Sequence, residues 1–112
     1  MDRPAISDPA RRAYDEIAAR LTAEEAVKAG QMMGMPTLYL AGKAFAGLFG
    51  DAMVFKLDGE AHAAALARPG ATLFDPSGKG RPMKAWVGVP IAEASAWPTL
   101  AVRAMEALEA HS

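Results

Sequence analysis

The chain has 112 residues, 12 Lys and Arg against 13 Asp and Glu, a net charge of −1 and no cysteine. That length fits one domain around one hydrophobic core. The near-balanced charge supplies no global field to draw the protein onto nucleic acid or an anionic membrane, and the missing thiols exclude disulfides, cysteine nucleophiles and thiolate metal sites.

Residues 1–8 contain Pro4 and no periodicity, which predicts a loose arm ahead of a single domain over residues 9–112. The opening segment lacks the charged-then-apolar order of a signal peptide, and no apolar run approaches the ~18 to 20 residues of a membrane helix. A cytoplasmic protein without membrane contact is expected.

Asp8-Pro9 predicts a helix start, with a carboxylate at the cap and proline at the first helical position. Tyr14, Ile17, Ala18 and Leu21 then recur at helical spacing, which gives one buried stripe. Thr22-x-x-Glu25 has the form of a capping box, so residues 22–28 either continue this helix or begin another turn. Gly30 ends the helical stretch in both cases.

After Pro36 the period changes from 3.6 to 2. Leu38 and Leu40 point one way and Thr37 and Tyr39 the other, Ala41-Gly42 supplies a turn, and Phe45, Gly47 and Phe49 alternate again. Gly50-Asp51 marks a second turn, followed by Met53, Phe55 and Leu57 on one face with Val54 and Lys56 on the other. Asp58-Gly59-Glu60 caps a short helix over 59–67, broken by Arg68-Pro69-Gly70. Short strands over 72–74 and 83–89 and a closing helix over 98–110 complete the chain. The expected fold is α+β: a two-layer sandwich in the order α-β-β-β-α-β-β-α, with a five-stranded antiparallel sheet, helices on one face and the other face wet.

Little in this pattern carries catalytic chemistry. His62 and His111 are the only histidines and form no metal-binding pair, and no serine sits in a glycine-flanked elbow beside a base. Asp15, Glu16, Glu24, Glu25, Glu106 and Glu109 belong to helix surfaces, and Met32, Met33 and Met35 read as packing between helix and sheet. No catalytic residue, metal site or cofactor is expected.

The segment Ser77-Gly78-Lys79-Gly80-Arg81-Pro82-Met83-Lys84 is the most suggestive local site. Its glycines free backbone N–H groups to face an anion, and Lys79, Arg81 and Lys84 gather positive charge. It is not a Walker A loop, because Leu73 stands where the first glycine belongs and Gly80 follows the lysine. Lys43 and Lys56 form a second group, which would join Tyr39 on the open sheet face in the manner of single-strand nucleic-acid binders.

Taken together, Met32-Met33-Gly34, Leu38-Tyr39, Gly42-Lys43, Phe45, Phe55-Lys56, Asp58, Phe74, Met83, Trp86 and Pro90 resemble the N-terminal domain of TfoX/Sxy proteins. The same segment is similar to the related MmcQ/YjbR group. The chain departs from the TfoX pattern at Met33, where the family has phenylalanine, and at Met35, where it has a second glycine. It also stops where that family's C-terminal domain would begin. The resemblance implies the fold described above, carries no catalytic residue over, and associates the chain with regulation of competence or with DNA binding. The resulting expectation is a non-enzymatic cytoplasmic interaction domain that uses its sheet face or an edge strand on a protein partner or a second copy. The alternative is nucleic-acid binding through Lys43, Lys56, Lys79, Arg81 and Lys84.

Overall fold

Ser7, rather than Asp8, caps the first helix. In the computed structural model, which describes residues 5–24, 26–32, 34–75, 80 and 82–110, α1 runs Asp8–Glu24. The Ser7 Oγ accepts the Ala10 N–H at 3.3 Å, and the Ser7 carbonyl accepts the Arg11 N–H at 3.0 Å. Asp8 therefore stands inside the first turn, where its carboxylate meets the positive end of the helix dipole. The Ser7 N–H in turn donates to Asp51 Oδ1 at 2.9 Å, tying the helix start to a distant strand turn. That N–H, with the Ser7 hydroxyl adding to it, holds the Asp51 carboxyl below its usual range.

Tyr14, Ile17 and Leu21 are buried along one stripe, as the spacing predicts. The Thr22 hydroxyl donates backward to the Ala18 carbonyl at 2.8 Å, and Glu25, the other member of the expected capping box, lies outside the described residues. The helix stops at Glu24, and Val27–Met32 is a strand, β1, in place of the expected helical continuation to Gly30. Its partner is β2 (Met35–Leu40), paired from Val27↔Leu40 to Met32↔Met35. Non-local pairing here overrides local composition.

The remaining elements are β3 (Lys43–Phe49), β4 (Ala52–Lys56), α2 (Gly59–Leu66), β5 (Thr72–Phe74), β6 (Met83–Pro90), a 3-10 helix (Ile91–Ala96) and α3 (Trp97–Ala110). The fold is α+β with one antiparallel sheet, in the strand order β1-β2-β3-β4-β6-β5. The sheet has six strands where five are expected, and the element order gains a strand before the first hairpin. The β2–β3 turn uses positive φ at both Ala41 (53°) and Gly42 (81°), the geometry that matches the twist of a two-residue hairpin.

A bulge between β2 and β3 shifts the register at Leu38/Tyr39. Phe45 consequently joins Ala46 and Leu48 in the main core, while Gly47 and Phe49 lie on the opposite face. The simple alternation expected for Phe45, Gly47 and Phe49 fails for that reason. In the main core, Leu38, Phe45, Met53, Phe55, Val87 and Val89 meet the α1 stripe and Trp97, Leu100, Ala101 and Met105 of α3. Trp97 is fully buried, and its Nε1–H donates to the Val89 carbonyl at 3.1 Å, which fixes the start of α3 against β6.

The face away from the helices is not the wet surface expected. Met35, Val54, Phe74 and Trp86 are buried there, with Met32, Ala44, Phe49 and Met83 packed against them. Phe49 and Phe74 touch edge to face, with ring centroids 5.1 Å apart, although β4 and β6 lie between their strands. The sheet curls enough to close part of this face on itself.

Gly47 lies on the same face, closely covered by β2. A Cβ there would stand 2.5 Å from Met35 Cε and 2.9 Å from the Pro36 carbonyl oxygen. Gly47→Ala is therefore expected to cost about 1–3 kcal/mol by overpacking, read as a lower urea midpoint. Removing the Met35 side chain in addition does not restore the midpoint, because the Pro36 carbonyl remains.

Tyr14 gives a prediction of opposite sign. Its hydroxyl is buried without a hydrogen-bond partner among the described residues, and burial pushes its ionisation well above the ordinary tyrosine range. Tyr14→Phe is expected to stabilise the fold by about 1 kcal/mol at neutral pH. The unfolded tyrosine ionises near about pH 10 while the folded one does not, so wild-type stability falls as pH rises past that value. The variant lacks this loss, and its advantage in chemical denaturation should widen with alkaline pH.

Candidate functional site

Every charged residue in the six strands is a lysine: Lys28 in β1, Lys43 in β3, Lys56 in β4 and Lys84 in β6. The helical segments hold eight carboxylates and four arginines. A chain of net charge −1 thus separates its charge by layer, positive on the sheet and negative on the helices. All four lysines are exposed. Among the described residues the ion pairs are Arg11–Asp15, Arg68–Glu93 and Arg103–Glu106, so none of these lysines is neutralised by one.

Strand register places Lys28 and Lys56 on the face away from the helices. Lys28 pairs with Tyr39 and Tyr39 with Ala44, while Lys56, one place beyond the Ala46↔Phe55 pair of β3 and β4, pairs with Trp86 of β6. Lys84 is exposed two residues before Trp86 along β6, where the register with β5 shifts from Leu73↔Val87 to Phe74↔Met83. Lys43 stands at the start of β3, opposite Leu40 and beside the hairpin turn. With strands about 4.8 Å apart, Lys28 and Lys56 are roughly 14 Å from one another. That span is too long for one small anion and suits an extended one.

Local structure holds the row in place. The Tyr39 hydroxyl donates to the Gln31 carbonyl at 2.9 Å, laying the ring across β1 beside Lys28. His62 Nε2 lies 2.8 Å from the Lys84 carbonyl, which anchors α2 to β6 where that lysine projects. His62 is half-buried by this contact rather than free on the helix surface. A hollow of about 450 Å³ lies beside Ala26, Lys28, Tyr39 and Leu40, and another of about 230 Å³ lies on the helix side of the sheet, between Lys56, Leu57, Asp58, Ala104 and Leu108. Both are lined mainly by apolar side chains.

Of the five residues singled out from sequence, Lys56 and Lys84 are brought together, on adjacent strands and two residues out of register. Lys43 sits apart at the hairpin end. Lys79 and Arg81 lie outside the described residues. Lys28 falls in what local spacing predicts to be a helical tail and so is missed from sequence. The signal that could have found it is the absence of acidic residues from the strand segments. Trp86 is only 6% exposed and belongs to the second core, so it offers no open ring to a ligand.

Among the described residues no group of three or more His, Asp or Glu is placed to hold a metal ion, and no helix is long and apolar enough to cross a membrane. No family model, curated protein or solved structure matches this chain.

Among the described residues these lysines have no ion-pair partner to lose. Lys28→Glu and Lys56→Glu are each expected to change stability by less than about 0.5 kcal/mol, as exposed substitutions away from caps and cores do. Thermal unfolding of the two variants checks this, and a larger loss would give the lysines a structural role instead.

Proposed function

We propose that this domain is a non-catalytic interaction module that binds a protein partner through the lysine-bearing side and free edge of its sheet. The single observation that carries this reading is that the strands hold four exposed lysines and no carboxylate. Lysine on an edge strand has an ordinary duty in discouraging aggregation. That duty explains Lys28 but not Lys56 or Lys84, which lie on interior strands. The resemblance of the Met32 to Pro90 motifs to TfoX N-terminal domains supports a regulatory, cytoplasmic setting for such a module.

Nucleic acid would also answer to positive charge, but the row lacks the exposed aromatic platforms that single strands stack on. Tyr39 is half-buried and Trp86 is buried. Immobilised wild type and a Lys28→Glu/Lys56→Glu/Lys84→Glu variant, compared in affinity capture with nuclease treatment, separate the readings. The expected result is a set of proteins held by the wild type, released by salt, insensitive to nuclease and lost from the variant. Identical sets on both baits, or loss of the set on nuclease treatment, would overturn the proposal.

A further inference from the structure

The outer edge of β1 offers more unpaired backbone than the other edge of the sheet, and its chemistry selects an occupant. β5, the opposite edge, has three residues against six for β1. The Pro36 carbonyl approaches the Cβ position of Gly47, so it points toward β3. Peptide groups alternate along a strand, so Thr37 turns its own toward β1 and its register partner Gly30 turns inward to meet it. Ala29 and Gln31 are left presenting their N–H and C=O groups outward. The Tyr39 hydroxyl occupies one of these acceptors, the Gln31 carbonyl, with its ring 3.3 Å from the Cβ position of Gly30.

The side chains of this edge also divide. Lys28 lies on the lysine side of the sheet, while Val27 and Ala29 lie on the side of α1. An added strand would meet positive charge on one side and apolar surface on the other.

We infer that β1 receives an extended segment of a partner protein in which acidic and apolar residues alternate, added to the sheet as a seventh strand. Its acidic side chains lie along Lys28 and its apolar ones along Ala29, beside the rim of the main core. This rests on the sheet being the binding surface, and it names what that surface binds. Charge decides against a second copy, because its β1 holds no carboxylate to meet Lys28. The scarcity of open aromatic rings decides against a nucleic-acid strand. Main-chain pairing supplies affinity in such an addition, and the alternating side chains supply specificity.

The test titrates the full chain with a seven-residue peptide alternating glutamate and valine, its lysine–valine counterpart, and a short single-stranded oligonucleotide. On saturation with the glutamate peptide, exchange of the Ala29 and Gln31 amides should slow at least about tenfold, with no change from the lysine peptide. Ala29→Pro removes an outward N–H but no bond to β2, and should weaken binding about tenfold or more, as should Lys28→Glu. Tyr39→Phe frees the Gln31 carbonyl and should tighten binding about twofold to threefold. Should Ala29→Pro fail to fold, Lys28→Glu and the wild-type exchange rates still decide the matter. Glutamate-peptide binding without slowed exchange at Ala29 and Gln31 would overturn strand addition and leave the sheet-face reading standing. Tighter binding of the oligonucleotide than of the peptide would overturn the assignment of a protein partner. Failure of every anionic probe to bind at low salt would overturn both the strand addition and the proposed function.

Discussion

The contact between Gly47 and the Met35–Pro36 segment is the constraint on which the rest of this sheet depends. Neighbouring backbone and the Met35 side chain fill the space a side chain would take at Gly47, so Met35 packs directly over the β3 backbone. On the same face Phe49 meets Phe74 across two intervening strands, and Val54 and Thr37 are buried. A helix layer on one side would otherwise leave a broad apolar face on the other. Curling disposes of part of that face without a third layer.

What curling does not cover is the end of the sheet where the lysines stand. Lys28, Lys56 and Lys84 hold this end open to water, and their stems can lie along the rim of the second core while the charges remain solvated. The carboxylates that balance them sit on the helices, on the other side of the sheet. Separation of this kind leaves the net charge near zero and still gives the molecule a directed field. The field lines up with the free edge of β1, so the same end of the sheet presents both unpaired backbone and unbalanced charge.

Much of this fold was legible in the residues, and what was not has identifiable causes. The α1 stripe, the turns at Ala41-Gly42 and Gly50-Asp51, and the facing of Met53, Phe55 and Leu57 against Val54 and Lys56 all follow from local periodicity. β1 does not, because Val27 to Met32 alternates weakly and owes its strand conformation to β2, its partner across the Met32–Met35 corner. The bulge that turns Phe45 inward is likewise a property of a strand pair. Trp86 and Phe74 read as strand residues, but their common core depends on sheet curvature that no single strand encodes. Losing β1 from the sequence reading also lost Lys28, and with it the continuity of the lysine row. Lys56 and Lys84 were identified as cations of interest; only the register of β4 with β6 makes them neighbours.

The central claim is that the positive side of the sheet, and not the helical layer, is where this protein meets its partner. Chemical-shift mapping of the ¹⁵N-labelled chain with polyglutamate tests it most directly. The perturbed amides are expected to cluster around Lys28, Tyr39, Lys56 and Lys84, with Lys43 at the margin. Perturbations centred on Arg11, Arg12, Arg20 and Arg103 of the helices, with the strand lysines unmoved, would contradict it.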